Sequence, residues 1–112
     1  MTHTDTVKIE AAFHAAEKVL GMPKETLKEK SRDGEIVEAK RFFMYFLRWN
    51  SNVTLAHIGK KVNRSHSDVI HHSKKHIILS ETERNYATRY QLFEQSAFEY
   101  IEQFNRIGAV EG

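Results

Sequence analysis

The sequence predicts an all-α fold, a compact helical domain built around a central helix-turn-helix and followed by a long C-terminal helix. Three observations carry this. The stretch Thr54 to Lys75, TLAHIGKKVNRSHSDVIHHSKK, reads as two short helices joined by a tight turn. One proline and five glycines in 112 residues leave little room for the many turns of a sheet protein. The remaining apolar residues recur at steps of three and four, which is the helical period, rather than in alternation.

The central stretch justifies itself position by position. Thr54 can cap the first helix, because its hydroxyl accepts from backbone N–H groups that have no helical partner. Leu55, Ile58 and Val62 then share one apolar face. Gly59 sits where the two helices cross most closely, and a side chain there would push them apart. Asn63 falls at the turn, where a positive φ is usual and asparagine tolerates it. Ser65 caps the second helix, and Asp68 three residues on resembles a capping box. Val69 is the buried anchor of that helix. In this register His66, Ser67, Ile70, His71 and Lys74 point away from the core, where a recognition helix meets a major groove. An ordinary helical corner has the same pattern, so the pattern leaves that alternative open.

The flanking elements follow in order. Thr4 or Asp5 is expected to cap a first helix running through Val19, with Val7, Ala11, Phe13 or His14, Ala15 and Val19 in its apolar stripe and Gly21 ending it. Pro23 starts a short helical turn, PKETLKEK, anchored by Leu27. Ser31, Arg32, Asp33 and Gly34 form a polar loop. The run EIVEAKRFFMYFLRWN, Glu35 to Asn50, is apolar most of the way round and predicts a central helix with core aromatics. Lys40, Arg41 and Arg48 interrupt its apolar surface and are expected to reach phosphates. The second helix of the motif should run to about Leu79. Ser80 and Thr82 offer caps for a last helix from about Glu83 to Ile107. Its Tyr86, Tyr90, Phe93, Ala97, Tyr100, Phe104 and Ile107 alternate steps of four and three, a heptad-like seam. That seam should pack back on the domain or pair with a second copy. The expected division is therefore residues 1–80 for the helix-turn-helix domain and residues 81–112 for the C-terminal helix.

Composition sets the outer bounds. With no cysteine there are no disulfides and no thiolate metal sites. No apolar run reaches membrane-spanning length, and MTHTDTVKIE lacks a signal peptide's apolar core, so a cytoplasmic protein without membrane association is expected. The formal net charge is only +2, but its distribution is uneven. Lys60, Lys61, Arg64, Lys74 and Lys75 face Asp68 alone between positions 60 and 75. From Glu81 onward the balance turns acidic. A basic centre beside an acidic tail fits a polyanion footprint on one face.

These residues resemble a known family, the C-terminal DNA-binding domain of the bacterial replication initiator DnaA, whose fold is Trp-repressor-like. The resemblance runs from about Ile9 to about Leu79. It rests on AEKVLGMPKETLKEKSR, on EAKRFFMYFLRW and above all on LAHIGKKVNRSHSDVIHHSKK. The family opens its recognition helix with a Gly-Gly-Arg-Asp-His-Thr-Thr-Val-like signature. NRSHSDVIH stands in that place, one residue shorter, with Ser65 where the family has Asp and Asp68 where it has Thr. The resemblance implies double-stranded DNA as the partner. It implies that Arg64, Ser65, His66 and Ser67 read groove edges and nearby phosphates. It places Arg32 in a loop that enters the adjacent minor groove, and it gives Arg41 and Lys74 the backbone, with His71 at a further matching position. Arginine forks suit guanine or phosphate, and serine and histidine hydrogen-bond to either. The role implied is regulation of replication initiation or of transcription.

No GxxxxGK[ST] loop occurs, so neither a nucleotide partner nor an ATPase domain is expected, and no cofactor. Met1 and the acidic tail point to a free-standing protein rather than an excised domain. Catalysis finds no support, since there is no cysteine nucleophile and no GxSxG. Two other readings compete. His66, Asp68, His71, His72 and His76 could form a metal site, with His72 and His76 at a chelating i, i+4 spacing. Alternatively the aromatic seam serves a protein-interaction module, a homodimer through the C-terminal helix, with the DNA surface decayed. Asp33, Glu35 and Asp68 motivate that reading.

Overall fold

The chain folds into helices α1 (His3–Leu20), α2 (Lys24–Leu27), α3 (Gly34–Asn50), α4 (Leu55–Lys61), α5 (His66–Thr82) and α6 (Arg84–Glu111). The structure is a computed structural model that describes residues 3–111, with side chains described to Arg106. No strand occurs among the described residues. At about 1.5 Å per residue, a helix of 28 residues spans about 42 Å. That matches the longest dimension of the molecule, 43 Å, so α6 alone sets the length.

Helix α1 starts earlier than its expected caps. Thr4 and Asp5 lie inside it, and Asp5 is buried. Its carboxylate accepts from the Asn52 N–H at 3.1 Å, so it closes the linker between α3 and α4. A buried carboxylate needs a donor, and the Asn52 N–H supplies one. Gly21 ends α1 as expected, with φ +67°. The N–H groups of Gly21 and Met22 donate back to Glu17 and Ala16, each at 3.1 Å. Leu27 anchors α2 with no exposed surface.

Helix α3 begins one residue before the expected point. Asp33 is its cap, and its Oδ1 accepts from the N–H of Glu35 at 2.9 Å and of Ile36 at 3.4 Å. Ala39, Phe42, Phe43, Met44, Phe46 and Leu47 are fully buried, so α3 is the central helix. Phe42 is the hub: its ring meets Tyr86, Tyr90 and Phe93 of α6 at centroid distances of 5.1, 5.2 and 5.6 Å. Such edge-on and tilted pairs add to the stabilisation from burial. Trp49 departs from the core role expected of the α3 aromatics. It is 60 % exposed at the end of the helix, with the Arg48 guanidinium 5.1 Å above its ring.

Ser80 and Thr82 do not cap the last helix. Both lie within α5, and the Thr82 hydroxyl donates to the Ile78 carbonyl at 2.8 Å. One extended residue, Glu83, separates α5 from α6. The chain therefore bends back at once, and α6 lies along α1 in the most extensive helix pairing of the fold. Tyr86, Tyr90, Phe93 and Ala97 are buried, and Tyr100 packs against the edge of the core. Ile107, the last residue of the expected seam, lies outside the described side chains.

His76 sits inside this interface. Its Nδ1 is 2.7 Å from the Tyr86 hydroxyl and its Nε2 is 3.2 Å from Ser80 Oγ. Its ring stacks on Tyr45 at 3.8 Å. One turn earlier, His72 Nδ1 accepts from Arg41 Nε at 3.2 Å. Arginine can only donate, so His72 must present a lone pair there and be neutral. Burial first, and the Arg41 charge second, hold both imidazoles down at about 4. Burial pushes the Tyr86 phenol up to about 12, so it remains a donor.

Unfolded histidine titrates near 6.5. Between about 6.5 and about 4 the unfolded chain therefore binds more protons than the folded one, and stability falls as pH drops through that window. Thermal melting should show a steadily lower midpoint from about pH 7 to about pH 4. Ring resonances of His72 and His76 should keep their neutral-form shifts down to about pH 5, and protonation nearer 6.5 would contradict the arrangement.

Candidate nucleic-acid interface

Helix α4 starts where its cap predicts. Thr54 Oγ1 accepts from the His57 N–H at 3.2 Å, and Ile58 and Val62 are fully buried. The chain then turns at Asn63, which has φ +60° and is the only described non-glycine residue with positive φ. Gly59 meets the turn directly, because the Arg64 N–H donates to its carbonyl at 2.8 Å. A Cβ on Gly59 would stand 2.5 Å from the Arg64 carbonyl oxygen and 2.8 Å from that of Ser65. The close approach is thus between α4 and the turn backbone that leads into α5.

The start of α5 is held reciprocally. Ser65 Oγ accepts from the Asp68 N–H at 3.2 Å, and Asp68 Oδ2 accepts from the Ser65 N–H at 3.0 Å. That backbone N–H is the main reason the Asp68 carboxyl lies below the usual carboxylate range, against the opposing effect of burial. Val69 is fully buried. With the anchor inward, Ser65, His66, Ser67, His71 and Lys74 are exposed and Ile70 is half-buried. Ser67, His71 and Lys74 fall at steps of four and three, one strip along the helix.

The basic loop lies beside the start of α5. Arg32 is exposed between α2 and α3. Arg64 is half-buried and reaches across, donating from Nη2 to the Ser31 carbonyl at 3.4 Å. It therefore ties the loop to the turn as well as presenting charge. Between loop and turn opens a cleft of about 650 Å³. Lys30, Arg32, Lys40, Lys60 and Arg64 line it, opposed by Asp68. A second depression, lined by Lys28, His57, Lys60, Lys61 and Asn63, continues the cationic surface through Lys60.

Two positions depart from the surface expected of them. Arg41 is buried, 6 % exposed, with its guanidinium turned to His72 of α5. Lys40 is 1 % exposed, and its ammonium donates to the Glu29 carbonyl. Helix α3 packs against α5 and α2, so the Arg41 charge lies under the surface and Lys40 lies at the inner wall of the cleft. Lys28 and Lys30 were missed in the sequence, although Lys28, Lys30 and Arg32 recur at every second residue of the loop. The histidines of the metal reading do not converge: His72 and His76 direct ring nitrogens to Arg41, Tyr86 and Ser80. Among the described residues no three histidine, aspartate or glutamate side chains form a group that could hold a metal ion. No helix of the described residues is long and apolar enough to cross a membrane.

A buried anchor, an exposed helix start and a cationic loop on one side define a helix-turn-helix DNA-binding domain. Residues 9–75 match the bacterial DnaA protein helix-turn-helix model, and the chain belongs to that family. No curated protein and no solved structure gives a match to the chain.

Gly59→Ala tests the geometry of the motif. The added methyl meets backbone, which cannot swing aside as a side-chain tip would. Overpacking of this kind costs about 1–3 kcal/mol or more. Urea denaturation should show a loss of at least that size, and an unchanged midpoint would contradict the close approach.

Proposed function

We propose that the protein binds double-stranded DNA with sequence preference and acts as a regulator of replication initiation or of transcription. The observation that supports this best is the placing of an exposed α5 start and a cationic loop on one face, joined by Arg64. In this reading Ser65, His66 and Ser67 enter the major groove. His71 and Lys74 follow the adjacent phosphates, and Arg32 reaches the neighbouring minor groove. Arg64 serves groove and phosphate contacts from the end anchored on Ser31. Arg41 supports the interface from beneath through His72, rather than by touching phosphate. Binding is the whole activity, with no catalysis, no nucleotide and no cofactor, in the cytoplasm.

Self-association through α6 is a second reading, favoured by Leu92 and Phe98, which remain 51 % and 44 % exposed. The buried half of the seam is already used against α1 and α3. Sedimentation of a dilute sample as a monomer would remove that reading and leave DNA binding intact.

Binding to random and selected duplexes should be measured over a salt series. Affinity should fall steeply with salt, since each neutralised phosphate contributes a slope of about −0.9. His66→Ala and Ser67→Ala should each cost about 1–3 kcal/mol on a selected site and little on random duplex. Lys74→Ala should weaken both and lower the slope by about one. A salt-independent affinity, or no binding at low salt, would overturn the reading.

A further inference from the structure

We infer that α6 belongs to the DNA-reading apparatus: Tyr86, through its bond to His76 on the buried side of α5, is a positioning residue that fixes how α5 is rotated toward the groove. This rests on the DNA-binding reading and refines it. It gives base discrimination a determinant outside residues 9–75, the stretch that matches the family.

Helix α5 is seated mostly by polar groups. Its buried residues are Val69, His72, Ser73 and His76, so Val69 is the one apolar side chain among them. Leu79 is half-buried toward the far end. The Ser73 hydroxyl donates to the Val69 carbonyl at 2.7 Å and so stays within its own helix. The two histidines are therefore the buried polar groups by which neighbouring helices hold α5. Apolar contact is non-directional. A hydrogen bond has a preferred angle and weakens steeply away from it. With a single fully buried apolar anchor, the rotation of α5 about its axis is set by the histidine bonds.

His76 is the one of the two that joins α5 to α6. The Tyr86 hydroxyl lies 2.7 Å from its Nδ1. Tyr45 of α3 stacks on its ring at 3.8 Å, and Tyr90 of α6 meets the ring edge-on at 4.3 Å. Arg41 links the two histidine bonds. It donates to His72, and its charge also acts on the Tyr86 phenol, against the larger upward push of burial. Helix α6 is in turn held along α1, so it supplies a fixed reference.

The lever from this bond to the groove is short. Ser67, His71 and Lys74 project from the side of α5 opposite Val69 and His76. A side-chain tip stands about 5–6 Å from a helix axis, so a rotation of about 20° carries it through about 2 Å. Hydrogen bonds to base edges do not survive that displacement. Phosphate contacts made by a flexible lysine or through water adjust to it. Loss of the Tyr86 bond therefore separates discrimination from affinity.

The test uses the full chain. Tyr86→Phe deletes one hydroxyl and keeps the ring against Phe42. His76→Phe keeps a ring to stack on Tyr45 and removes the bond. Tyr90→Phe, which deletes a buried hydroxyl without a hydrogen-bond partner, is the control. A duplex is selected from random sequence with the wild type. Affinities for it and for random duplex are then measured over a salt series, with thermal melts beside them. Tyr86→Phe and His76→Phe should each lose about three- to tenfold in preference for the selected duplex. Affinity for random duplex and its salt slope should stay at the wild-type level, and Tyr90→Phe should keep the preference. The double variant should lose no more than the larger single effect, because both act through one bond. If the wild type prefers its selected duplex and both variants keep that preference, the positioning role is overturned and the DNA reading stands. If selected and random affinities fall together with the melting temperature, the bond serves stability alone and the inference is wrong. It is wrong too if Tyr90→Phe loses as much preference as Tyr86→Phe. If the wild type binds no duplex, or binds all duplexes equally, the DNA reading itself fails and the inference falls with it. Should His76→Phe not fold, Tyr86→Phe and its control still decide.

Discussion

Everything this domain presents to its surroundings depends on one backbone contact that tolerates no side chain. The Gly59 carbonyl accepts the Arg64 N–H at 2.8 Å, and the space where a Cβ would stand is filled by the carbonyls of Arg64 and Ser65. That approach fixes where the turn lies against α4. Asn63, with φ +60°, reverses the chain within a single residue. The reciprocal bonds of Ser65 and Asp68 then start α5 at once, before any disordered residue can blur its direction. Val69 below and Ser67 above therefore have fixed roles. If the contact opened, the helix start would lose its angle to the loop, and Arg64 would lose its hold on Ser31.

The interior beneath this surface is unusual in carrying positive charge. Helix α3 buries Lys40 and Arg41 next to a large aromatic core. A buried charge without an opposite partner is costly. The chain offsets part of this with neutral acceptors. His72 offers a lone pair to Arg41, and Glu29 offers a carbonyl to Lys40. The arrangement works only while His72 is neutral, which is why the depressed basicity of that ring is a structural requirement. By contrast, Arg89 has an opposite charge to meet: it forks onto both oxygens of the half-buried Glu38, the two-point geometry in which a surface ion pair does contribute.

Helix α6 lies beyond the residues that match the family, yet it is woven into the same core. Tyr86, Tyr90 and Phe93 surround Phe42, the hub of the central helix. Residues 81–106 therefore contribute apolar area to the domain that carries the helix-turn-helix. A small domain has little such area to spare. The sharp bend at Glu83 makes the arrangement possible, since it turns α6 back along α1 without a loop.

Local signals were readable from the sequence wherever the physics is local. The caps at Thr54 and Ser65, the positive φ at Asn63, the bulk limit at Gly59 and the anchor at Val69 each follow from residues within a few positions of one another. The apolar period likewise placed Phe42, Tyr86 and Phe93 inward. What the sequence could not settle was which neighbour a long polar side chain would meet. Lys40 and Arg41 look like surface cations in a one-dimensional pattern, and Asp5 looks like a cap. Their burial is decided by α5 and α2 closing over α3, and by the α3–α4 linker arriving at α1. The cationic cleft has the same origin, because Arg32, Lys40, Lys60 and Arg64 lie up to 32 positions apart and meet only when four segments pack. Helical period and capping depend on short-range sterics and hydrogen bonds. Burial of charge depends on long-range packing, which only the folded chain specifies.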